Sequence, residues 1–179
     1  MNNPRTLVLI SFILSVAIYR VIPHPFNFTP VLAMALFSGA KFKDFKLALL
    51  MPLIAMLLSD LFLGFHQTMF FVYGALALIV FTGIYLNKKI QRKSPVKNAF
   101  NIITASVFSS GIFFIVSNFG VWLTGNFYAK NIAGLIDCYI AAVPFLQNSI
   151  ASNLFFSTLF FGGFYLAEKQ FTQLQETPS

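Results

Sequence analysis

This 179-residue chain has one cysteine, two histidines and five acidic residues. The lone Cys138 excludes an internal disulfide, and it reads as an inert buried thiol ahead of a ligand for a metal or corrin. His24 and His66 have no cysteine or carboxylate at ligand spacing, so no metal and no cofactor is expected. The sequence has no phosphate-cradling glycine loop, no HExxH and no nucleophile elbow, which argues against an enzyme. Energy from ATP would have to come from another chain. The stretches "SGIFFIVSNFG" and "FFGGF" read as small residues for helix packing. Charge is scarce as well, at 9% of residues against about 25% in soluble domains.

Apolar sequence is what the chain has in quantity. Hydrophobic residues make up 58% of it, 24 of them phenylalanine, more than a soluble core of this size can hide. An all-α integral membrane protein follows, with room for about six spans of roughly 20 residues. It forms a single transmembrane domain over residues 1–179, with the lipid bilayer as its first partner. Apolar segments run Leu7 to Ile22, Thr29 to Ala40, Leu47 to Gly64, Met69 to Leu86, Ala99 to Leu123 and Pro144 to Ala167. The first runs into Arg20 without a cleavage site, so it reads as a mature helix and not as a signal peptide. A basic loop "NKKIQRKSPVKN" follows the fourth, and the polar tail "EKQFTQLQETPS" is expected to fray.

The net charge of +7 raises the question of nucleic acid. With six spans and a cytoplasmic N-terminus, all basic residues except Arg20 and Lys130 fall inside, ten of the 12. That is the positive-inside pattern, and it accounts for the charge without nucleic acid. A five-span chain with its N-terminus outside gives the same score. Charge therefore fixes the loops after residue 40 and leaves the first hairpin open.

That hairpin holds "RVIPHPFNFTPVLAMALFSGA". The apolar part from Thr29 is about 18 Å of helix, too short for a hydrocarbon core of roughly 30 Å. Pro23, Pro25 and Pro30 remove amide donors, and irregular backbone at membrane depth needs protein or a water-filled cavity around it. Two readings follow: an outer loop leading to a helix capped by Thr29 with Pro30 in its first turn, or a cavity-lining loop that dips into the bundle. Other polar residues gather on the same side. Asp60 and Arg20 fall at similar depth and are expected to pair. His66 sits in a short outer turn, Asn118 and Trp122 end the fifth span, and Asn148 and Asn153 occupy the outer half of the sixth. Asn131 to Val143 reads as an interfacial helix or ordered loop, with Pro144 opening the last span.

The pattern "HPFNFTPVLAMALFSGA…LALLMPLIAMLLSDLFLGFH…FVYG…CYIAAVPFLQNS" resembles an uncharacterised bacterial family assigned to membrane transport. More loosely it is similar to the S components of energy-coupling-factor (ECF) vitamin transporters. That resemblance implies a six-helix transmembrane bundle of ECF S-component-like topology with an irregular first outer loop. It also implies a bacterial cytoplasmic membrane, both termini cytoplasmic, and a transmembrane coupling subunit with ATPases supplied separately. On the first helix only Ser11-x-x-x-Ser15, with Ala17 beside it, fits the small-residue face such a subunit would use. Uptake of a vitamin-like small molecule is the expected function. Its expected binding residues are Arg20, His24, Asn27, Thr29, Asp60, His66, Asn118, Trp122 and Asn148. A scaffold of the MreD type in cell-envelope assembly, which has a related helical layout, is the alternative.

Overall fold

The computed structural model describes residues 4–90 and 95–170. The expectations for Arg92, Lys93 and the polar tail beyond residue 170 lie outside the described residues. Six α-helices follow one another: α1 (Pro4–Val21), α2 (Val31–Lys41), α3 (Phe45–Leu63), α4 (Met69–Ile90), α5 (Pro95–Thr124) and α6 (Ile132–Gln170). Among the described residues there is no strand. The windows of α3, α4, α5 and α6 are long and apolar enough to cross a membrane. Their outer faces present bare hydrophobic side chains such as Phe62, Phe70 and Phe108, as helices facing lipid do.

The apolar segments foretold the first five helices closely, and the sixth is a correction. Residues 132–143 are not a separate interfacial piece but the opening turns of α6, and Pro144 lies inside a continuous helix of 39 residues. A proline removes one amide from the ladder, and contacts with α5 hold the turns before it. The Tyr139 hydroxyl donates to Ile115 O at 2.7 Å, and its ring lies 5.4 Å from that of Phe114. At about 58 Å, α6 exceeds the thickness of a hydrocarbon core.

The short α2 is the centre of the bundle. Every residue from Val31 to Ala40 is buried, because α3, α4 and α6 surround it. Met34 and Leu36 pack there with Met51, Leu76, Ile79 and Val80. Two glycines set its distance from α4. A Cβ at Gly39 would lie 2.1 Å from Val80 O, and one at Gly83 would lie 2.2 Å from Leu36 O. The helices touch backbone to backbone, which only glycine permits. On its other side α2 repairs α3. Pro52 is buried within α3 and cannot donate to Ala48 O. The Ser38 hydroxyl, from α2, donates to that carbonyl at 2.8 Å.

Lys41, Lys43, Lys46, Lys88, Lys89 and Lys97 mark one end of the bundle, the basic end. The other end carries the connections 22–30, 64–68 and 125–131. The first of these descends along α6. Asn148 Nδ2 donates to Phe26 O at 3.0 Å, and one turn deeper Ser152 Oγ donates to Thr29 O at 2.7 Å. Phe28 follows, its ring 5.9 Å from that of Phe156. Of the two readings of "PHPFNFTP", the cavity-lining part of the second is observed, through Phe26, Asn27 and Thr29, although Pro23 and Pro25 to Asn27 stay exposed. The expected cap is not observed. Thr29 caps nothing; Pro30 is the N-cap and takes φ −74° without a side-chain hydrogen bond. The Thr29 carbonyl is instead the acceptor that anchors the loop to α6.

Candidate functional site

Beside the descending loop lies a half-open cavity of about 530 Å³, within the usual size of small-molecule sites. All three connections at this end contribute to its wall, through Asn27, Thr29, His66, Thr68 and Tyr128. The helices add Arg20 from α1, Ser117 and Asn118 from α5, and Ser149 from α6. An apolar side is built by Val31 and Leu32 of α2 with Met56, Leu76 and Phe113. Asn27 holds a φ of 60° at the turn where Phe28 N–H donates to Pro25 O at 2.9 Å. Among residues with a Cβ, asparagine tolerates this left-handed geometry well.

Five of the expected residues therefore share one wall: Arg20, Asn27, Thr29, His66 and Asn118. The others stand off it, each with its polar group spent elsewhere. Asn148 supports the loop through Phe26 O. His24 Nδ1 lies 2.6 Å from Ile22 O. Trp122 Nε1 donates to Ala129 O at 2.9 Å. Its carbonyl and that of Gly125 accept from Lys130 Nζ, so this corner closes the C-terminus of α5. Asp60 sits behind Arg20.

The expected Arg20–Asp60 pair is present at 2.8 Å, with Asp60 1% exposed. It belongs to a larger cluster. Arg20 Nη1 also donates to Ser59 Oγ and, at 3.4 Å, to Met56 O. The Tyr73 hydroxyl donates to the second carboxylate oxygen of Asp60 at 2.9 Å. Both oxygens of the buried anion are thus held by donors on two other helices, α1 and α4, which ties α1, α3 and α4 together. Tyr73 was legible in principle: Asp60 and Tyr73 flank the short 64–68 turn symmetrically, so a phenol in "FVYG" had to fall at the depth of the acid. The wall residues Ser117 and Ser149 were not selected from sequence. Cys138 is buried, with Sγ 3.5 Å from Asn118 O.

Deeper between α5 and α6 runs a strip of small polar residues. Asn153 Nδ2 donates to Ser106 O at 2.8 Å and to Ser110 Oγ at 3.3 Å. Ser157 Oγ donates to Asn153 Oδ1 at 3.3 Å. Because α6 begins at Ile132, Asn153 lies near the middle of that helix and not toward the cavity end. It joins helices in the manner of polar residues inside membranes. Among the described residues no three His, Cys, Asp or Glu side chains gather closely enough to hold a metal ion.

A helical bundle with spans of membrane length, a buried ion pair and a half-open cavity at its less basic end is the class that fold and site define. The chain belongs to DUF6580, a family of unknown function whose model matches residues 1–174. No curated protein and no solved structure matches it.

Proposed function

We propose that this protein is the solute-binding membrane component of a small-molecule uptake system, with the cavity facing outward. The observation that carries the reading is the cavity: the irregular first connection, with its carbonyls anchored by Asn148 and Ser152, forms one wall of a mostly apolar space with a few convergent polar groups. That is the usual form of a site for a small organic molecule. The likeness to ECF S components supports it, and with it a separately supplied coupling subunit and ATPases. On α1, Ser11 and Ser15 are exposed and would face such a subunit, while Ala17 is buried and would not.

Native mass spectrometry of the protein extracted in mild detergent tests the reading. Ser117 stands on the wall in α5, and Ser117→Phe should fill the cavity. A small molecule released from the wild type should be absent from this variant. An equal load in both proteins, or none in either, would count against uptake and favour a scaffold. The orientation has its own test. Lysines crowd the basic end, so positive-inside sorting puts that end in the cytoplasm. Reporters fused after Ser179 and before Met1 should then both read as cytoplasmic, and an outside N-terminal reporter would invert the first hairpin.

A further inference from the structure

Resting on the proposed uptake function, we infer that the ligand is an uncharged, flat-bodied molecule that presents a carbonyl-type acceptor to Arg20. A guanidinium has five N–H donors. All three hydrogen bonds of Arg20 leave from Nη1, to Asp60, Ser59 and Met56 O. The N–H groups of Nε and Nη2 have no partner among the described residues. The Arg20 side chain is only 15% exposed, and it stands on the cavity wall. A ligand that fills this cavity comes within reach of these donors and can accept from them.

Charge decides what kind of acceptor. Arg20 is the only Lys, Arg, Asp or Glu among the described residues of the wall, and Asp60, 2.8 Å away, already balances it. A carboxylate entering the site would add a net negative charge beside this neutral pair, with no second Lys or Arg among the described residues of the wall to meet it, at a cost in desolvation. An amide, lactam or ring carbonyl accepts the same N–H groups without that cost. The body of the ligand follows from Phe26, Phe113, Tyr128 and Phe145, which bring aromatic surface to the wall from the loop, α5, the 125–131 connection and α6. Such surface favours a flat ring system.

A matched pair of probes tests this: 2-naphthamide and 2-naphthoate, with binding to the purified protein measured by equilibrium dialysis. A hydrogen bond to a charged donor is worth about tenfold to hundredfold in affinity, and the carboxamide should lead the carboxylate by at least that lower figure. Arg20→Lys keeps a cation beside Asp60 but gives up the planar fork; it should remove most of the carboxamide affinity in protein that still folds, with a smaller loss of melting temperature than Asp60→Asn. A carboxylate that binds as well as the carboxamide to the wild type overturns the inference without reference to any variant. Carboxamide binding that survives Arg20→Lys but is lost in Ser117→Phe overturns it too, while leaving the cavity as a binding site. If neither probe binds the wild type, or carboxamide binding is unchanged in Ser117→Phe, the inference falls, while the uptake reading stands or falls on the co-purified load.

Discussion

Gly83→Ala should destabilise the protein by more than about 3 kcal/mol, the upper end of ordinary overpacking, and Gly83→Val should leave little folded material. The reason is the identity of the neighbours. The added methyl would meet Leu36 O at 2.2 Å and both Ala40 N and Gly39 Cα at 3.0 Å. These are backbone atoms of α2, which cannot rotate aside as a side chain would. Relief requires moving α2 away from α4, and α2 is packed on its other sides by α3 and α6. Gly74, on the same helix, has nothing within 4 Å of its would-be Cβ. Gly74→Ala should be neutral or stabilise by up to about 1 kcal/mol through helix propensity alone. Melting of the two variants in detergent separates close approach from propensity. Equal melting temperatures would mean that α2 and α4 do not touch as described.

Asp60→Asn should cost about 3–5 kcal/mol, the range for breaking a buried pair by removing one partner. Arg20 would be left with an uncompensated charge at a nearly dry position. The new amide would also set a donor against Arg20 Nη1 or the Tyr73 hydroxyl, which now donate to Asp60 at 2.8 and 2.9 Å. Lys89→Gln, at an exposed position of α4, should change stability by less than about 0.5 kcal/mol. The double variant Arg20→Met/Asp60→Leu should lose less than the sum of its two single changes, since no lone charge remains. Strict additivity would show that the two groups do not stabilise one another.

Much of this architecture was legible in the sequence because membrane spans announce themselves by length. The ion pair was legible because two charges at one depth in an apolar chain have few other partners, and an irregular first connection because three prolines interrupt a segment too short to cross alone. Pro144 misled because a proline at the start of an apolar run reads as a first turn, and only the contacts of Tyr139 with α5 keep the preceding turns helical. Thr29 misled for a related reason: its position suits a cap, but its carbonyl serves Ser152 and Pro30 already has helical angles. The apolar wall was out of reach. Val31, Leu76 and Phe113 look like the residues that face lipid, since these helices are hydrophobic all round and no polar stripe marks the inward face.

The two bonds that anchor this loop to α6 join residues 122 and 123 positions apart in the chain. During synthesis the loop emerges early, and its acceptors at Phe26 and Thr29 wait for donors on the final helix. Contacts so distant in sequence are the slow kind to close, and these two need α6 to exist before they can form at all. A chain that stops before α6 keeps its apolar helices but never acquires this wall. The cavity is thus a property of the bundle that only its last helix completes.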